Sequence, residues 1–156
     1  MIKLKNLLKE IEGEFDEIDV STLNSINDIT ESIKDEMVRV AQEQYDGWQQ
    51  DEHGVNIELG RGGICHLIAD DLLNVLYKNK IENVQSVCSN YEQHVYIVGQ
   101  FKEGIYEIDI PYYIYETGGG FTWKKKPDVK FSREDIVISR LSSDPSEFNN
   151  YVDTFW

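Results

Sequence analysis

His94-Val95-Tyr96-Ile97-Val98-Gly99-Gln100-Phe101-Lys102-Glu103-Gly104-Ile105-Tyr106-Glu107-Ile108-Asp109-Ile110 reads as two strands and the turn between them. The runs Val95 to Phe101 and Ile105 to Ile110 are rich in β-branched and aromatic residues with a period of two, and the short polar link carries a glycine. Val84 to Cys88 has the same period, so three consecutive strands joined by short links predict an antiparallel sheet. Ile136 to Leu141 is a further strand or buried segment, and Ser146 to Phe155 a closing helix.

Upstream of the sheet the period changes to that of a helix. Ile64, Leu67, Ile68, Leu72, Val75 and Leu76 form one apolar stripe, which predicts a helix from Ile64 to Tyr77. Ile26, Ile29, Ile33, Met37, Val40 and Ala41 predict another from Ser25 to about Tyr45, with Asn24 or Ser25 as its N-cap. Leu4, Leu7, Leu8 and Ile11, stopped by Gly13, predict a short first helix. From Asp46 to Gly63 the pattern gives way to a loop that ends in Gly60-Arg61-Gly62-Gly63. Helices first and sheet after make an α+β fold, and 156 residues with 40% hydrophobic content fit one domain over 1–156.

Twenty-nine acidic against fifteen basic residues leave a net charge of −14, which repels a phosphate backbone and disfavours nucleic acid as a partner. Lys124-Lys125-Lys126 is too short to reverse that and reads as a loop decoration. Charged residues interrupt every apolar pair near the N-terminus, and no apolar run approaches a membrane span, so the expected location is cytoplasmic with no membrane partner. Cys65 and Cys88 are then expected as free thiols. Gly118-Gly119-Gly120 lacks the strand-to-helix setting and the Lys-Ser/Thr pair of a phosphate cradle, and reads as a loop.

Three residues carry chemistry. Cys65 falls in the first turn of its helix, where unpaired backbone N–H groups and the dipole favour a thiolate; Gly62-Gly63 ahead of it would let substrate backbone approach. A buried structural cysteine is the plain alternative. His94 opens an otherwise apolar strand, and an imidazole beside a thiolate can hold a proton and return it to a leaving group. Asp109 stands among isoleucines near the end of the next strand.

Strand parity tests whether the last two meet. With Phe101 to Gly104 as a four-residue loop, Asp109 lies opposite Tyr96; with Glu103-Gly104 as a two-residue loop, it lies opposite Val98. Either even loop puts Asp109 on the face of His94, and a three-residue loop does not. An aspartate there would fix the imidazole tautomer and stabilise imidazolium.

Gly62-Gly63-Ile64-Cys65 opening a helix, His94-Val95-Tyr96-Ile97-Val98 and Gly104-Ile105-Tyr106-Glu107-Ile108-Asp109-Ile110-Pro111 resemble the transglutaminase-like branch of the papain-like cysteine enzymes. The arylamine N-acetyltransferases share that order of Cys, His and Asp. The resemblance spans roughly 60–113 and implies a nucleophile-bearing helix packed on an antiparallel sheet. It further implies an acyl-thioester intermediate; no cofactor is expected. His66 stands after the nucleophile, and no Gln precedes it at the spacing papain-type enzymes use for the oxyanion hole. Gln49, Gln50 and Trp48 are therefore the upstream candidates for an oxyanion or substrate contact, with the backbone N–H of Cys65 or His66 as complement.

The expected function is a thiol-dependent hydrolase or acyl transferase acting on an amide, isopeptide or thioester bond, with a protein or peptide substrate and peptide cleavage the first choice. The alternative is an acidic non-catalytic binding protein or inhibitor seated on a basic surface of a partner. Cys65, His66, Cys88 and His94 lack the paired short spacings of a zinc site. His53 reads as an exposed loop residue, with a substrate contact the alternative; at least one of Asp70 and Asp71 faces solvent; and Tyr112, Tyr113 and Tyr115 read as strand packing or cleft lining.

Overall fold

The computed structural model describes residues 19–49, 64–89, 94–111 and 130–152. The predicted first helix, Gln50, His53, the Gly60-Arg61-Gly62-Gly63 run, the tyrosines at 112, 113 and 115, Gly118-Gly119-Gly120, Lys124-Lys125-Lys126 and the end of the closing helix lie outside them.

Helix α1 spans Glu31–Gln49 and helix α2 Ile64–Lys78. Strands β1 (Val84–Ser89), β2 (His94–Phe101), β3 (Gly104–Asp109) and β4 (Val137–Ser142) pair in that order as one antiparallel sheet, and helix α3 (Phe148–Val152) closes the described chain. The α+β class is as expected.

The helix foreseen from Ser25 is divided. Ser25 caps a 3-10 turn at Ile26–Asp28 whose Asp28 carboxylate accepts back from the Ser25 N–H, so the turn closes on itself. Thr30 then starts α1, its Oγ1 accepting from the Ile33 N–H at 3.3 Å. At the other end α1 runs past Asp46, where a loop was expected, through Gly47 to Gln49. Gln42 donates to Asp46 at 2.9 Å, and Tyr45 meets Phe131 edge-on at 5.8 Å, so contacts to both sides offset the helix-weakening glycine.

Ile33, Met37, Ala41 and Tyr45 make a buried i, i+4 stripe on α1. It packs on the Ile64, Ile68, Leu72, Val75 and Leu76 face of α2, and both rest on Val84, Ile97, Phe101 and Ile108 of the sheet. The two helices are antiparallel, since Lys78 Nζ reaches Glu36 at 2.9 Å and Gln44 donates to Asp71 at 2.7 Å. A smaller cluster of Val87, Val98, Ile105 and Val152 covers the opposite face under α3.

Two turns set the position of the site. At the end of α2, Lys80 takes φ +66°, the Ile81 N–H donates to the Leu76 carbonyl at 2.9 Å and the Lys80 N–H to the Tyr77 carbonyl at 3.1 Å, a Schellman cap with Leu76 and Ile81 both buried. The chain reverses there into β1. Thirteen helical steps back from Lys78 to Cys65 cover about 20 Å, and five strand steps from Val84 to Ser89 cover about 17 Å. The start of α2 therefore falls beside the end of the sheet where Ser89 pairs with His94.

The second turn joins β2 to β3. Phe101 pairs with Gly104 across a Lys102-Glu103 turn, which gives the register expected for a loop from Phe101 to Gly104 and not that of the Glu103-Gly104 loop. Glu103 is held by the N-terminal segment: its carboxylate accepts from Ser25 Oγ at 2.6 Å and from the Ile26 N–H at 2.9 Å. Gly104 takes φ +140°, and a side chain there would run into the Ser142 carbonyl oxygen of β4.

Candidate active site

Because Ile97 pairs with Ile108, continuing the register sets Asp109 opposite Tyr96, and His94 lies one diagonal step away on the same face. The side chains meet: His94 Nε2 lies 2.7 Å from Asp109 Oδ2. A carboxylate only accepts, so Nε2 carries the proton and donates. The Asp109 side chain is 7% exposed and that of His94 27%, so the pair is largely withdrawn from water while one side of the imidazole stays accessible.

His94 titrates far above an ordinary histidine, at about 9. The hydrogen bond to Asp109 is the main cause; burial opposes it, and the Asp109 charge, a hydrogen bond accepted by the Cys65 sulfur and the Cys65 charge add to it. At neutral pH the ring is imidazolium. With Nε2 committed to Asp109, Nδ1 is the nitrogen left for Cys65. Serine-protease triads use the two nitrogens the other way round, with the aspartate on Nδ1.

Cys65 is the second residue of α2, half-buried and unpaired with any other cysteine. By alternation His94 and Asp109 share the face of Tyr96 and Val98, while the body of α2 packs on the other face. The imidazole therefore meets Cys65 at the end of the sheet, by the first turn of the helix, where free N–H groups favour an anion.

The remaining candidates spread around this point. His66 is exposed in the same turn, and Leu67 beside it is 40% exposed. Trp48 and Gln49 end α1 rather than sit in a loop. The pairs Glu36 with Lys78 and Gln44 with Asp71, continued along antiparallel helices, bring that end of α1 level with the start of α2. Asp70 is exposed, and Asp71 accepts from Gln44. Cys88 lies half-buried on β1 opposite Val95. Among the described residues no group of three or more His, Cys, Asp or Glu is arranged to hold a metal ion.

One contact was not foreseen. The Tyr96 ring stacks on the His94 ring, with centroids 6.0 Å apart and planes 23° apart. The signal available in the sequence was its place two residues on, and hence on the same face.

No protein-family model, curated protein or solved structure matches the chain. Among the described residues no helix is long and apolar enough to cross a membrane.

Proposed function

We propose that this chain is a thiol-dependent hydrolase or acyl transferase of the transglutaminase-like or papain-like kind, with Cys65 as nucleophile, His94 as proton carrier and Asp109 as its orienter. The observation that carries the reading is the placement of one imidazole, bonded through Nε2 to Asp109 and acted on by the Cys65 thiol. A structural histidine at a strand end needs the first contact and has no use for the second.

The Cys65 sulfur attacks an amide, isopeptide or thioester carbonyl, forming a C–S bond. The leaving amine or thiol departs with the proton that His94 carries, and an acyl-thioester remains on Cys65. Water or an acceptor amine then attacks the thioester and gives its proton to His94, and the C–S bond breaks to release acid or amide and regenerate the thiolate–imidazolium pair. Backbone N–H groups at the start of α2 are suited to the oxyanion, because they point along the helix axis with no intrahelical partner. Peptide cleavage is the first choice of reaction, with a protein or peptide as substrate.

The test is differential alkylation. Iodoacetamide near pH 7 should modify Cys65 much faster than Cys88, and His94→Ala should slow it. Acyl-type electrophilic probes should add to the intact mass of the wild-type chain and not to Cys65→Ala. Equal, slow labelling of both cysteines would overturn the reading and leave the −14 charge as the argument for a non-catalytic partner of a basic surface.

A further inference from the structure

We propose that Tyr96 is a positioning residue for this site, holding the plane of the His94 imidazole so that Nε2 stays on Asp109 while Nδ1 stays on Cys65. The inference rests on the catalytic reading above and adds a residue to it.

The Nε2–Oδ2 contact of 2.7 Å and the bond to Cys65 hold the imidazole at its edge and leave its two faces unsupported, so the ring can still rock about the line between them or leave for another staggered rotamer. Its stem offers little restraint, because His94 is the first residue of β2. The face of the ring must be held by something else, and the Tyr96 ring lies against it, 6.0 Å away and 23° from parallel.

The register explains why these rings meet. Tyr96 stands opposite Val87 in β1 and, by continuation, opposite Asp109 in β3. His94 reaches Asp109 along the diagonal of the pleated face, and that path runs alongside the Tyr96 side chain. A smaller residue at 96 would leave open the space into which the imidazole would otherwise turn.

Tyr96 is itself held in place. It packs against the cluster of Val87, Val98, Ile105 and Val152, so the second core, under α3, transmits its rigidity to the site. An aromatic ring also suits the charge state of its neighbour, since a π-face attracts imidazolium and an aliphatic side chain of equal bulk does not. The titratable groups acting on His94 are Asp109 from β3 and Cys65 from α2, with Glu107 two residues back on the same face of β3.

The experiment compares Tyr96→Phe and Tyr96→Leu in the full chain, with circular dichroism to establish folding. Two quantities are read: the titration midpoint of His94 by NMR, assigned through its loss in His94→Ala, and the rate of Cys65 alkylation by iodoacetamide from pH 5 to 10. Tyr96→Phe keeps the ring and should stay within about twofold of wild type in rate, with an unchanged midpoint. Tyr96→Leu should lower the midpoint by about one pH unit, a tenfold change in the proton equilibrium, and should slow alkylation at pH 7 by clearly more than the twofold allowed to Tyr96→Phe, because the ring no longer stays aligned with the sulfur. A folded Tyr96→Leu chain with wild-type midpoint and rate, measured beside a slow His94→Ala, overturns the role of Tyr96 and leaves the triad standing. An unchanged rate in His94→Ala overturns both. Should the leucine variant not fold, Tyr96→Ile, whose branched side chain suits a strand, takes its place. The unsubstituted chain supplies a check that needs no variant: ring-proton NOEs between His94 and Tyr96 must be present, and their absence overturns the proposal.

Discussion

Replacing Asp109 by Asn should remove a pH dependence of folding that the wild-type chain carries between pH 6.5 and 9. The substitution keeps the shape and removes the carboxylate that accepts from His94 Nε2 at 2.7 Å. In the folded chain His94 titrates at about 9 against an ordinary value of 6.5, chiefly because of that bond. A raised pKa means that the folded state binds the proton more tightly than the unfolded state. The stabilisation is therefore complete below pH 6.5 and is lost as pH rises through 9. Taken at face value the shift is worth about 3 kcal/mol; solvent access to the imidazole reduces this to about 1–2 kcal/mol. Urea unfolding of both chains at pH 6, 7, 8 and 9 measures it. Contributions common to both chains cancel in the difference. Wild type should lose about 1–2 kcal/mol across the series relative to Asp109→Asn. In the variant, burial acts unopposed by the carboxylate, so the His94 midpoint should drop well below 9. Parallel stability curves for the two chains would refute the reasoning, because they would mean that the proton on His94 is indifferent to Asp109.

Three further outcomes test the frame around the site. Lys80→Gly should raise stability by about 0.5–1 kcal/mol in thermal denaturation, since it relieves the left-handed backbone at φ +66° and gives back part of that gain as unfolded-state entropy. Glu103→Ala should cost about 1–2 kcal/mol by loss of the bonds to Ser25 Oγ and the Ile26 N–H, and hydrogen exchange should quicken at the hairpin tip before it does in α2. Met37→Ala, at a fully buried position between the helices and the sheet, should cost about 2–5 kcal/mol in urea unfolding while leaving the Cys65 alkylation rate of the folded chain unchanged.

The sequence by itself determined which segments are helix and which are strand, because apolar spacing is a local property: 3.6 along the Ile64 to Leu76 stripe, two along β2 and β3. It also tied the shared face of His94 and Asp109 to one condition, an even loop, since any even loop preserves parity and the period of two is strict. It did not determine that the loop is even, nor which even loop forms. That was decided by tertiary structure, in part through Glu103, which is anchored to Ser25 across 78 residues of chain, and the turn accordingly centres on Lys102-Glu103. The end of α1 followed the same logic. Gly47 and the polar run after it signal a stop, whereas the packing of Tyr45 on Phe131 carries the helix on to Gln49. The closeness of Cys65 to His94 follows from the matched lengths of α2 and β1 about the Schellman turn, which no motif records. The stacking of Tyr96 on His94 needs the realised register of β2 on β3. Patterns along a chain reveal what each segment can bury. Which groups meet depends on distances through space, and those exist only once the helices and the sheet have packed.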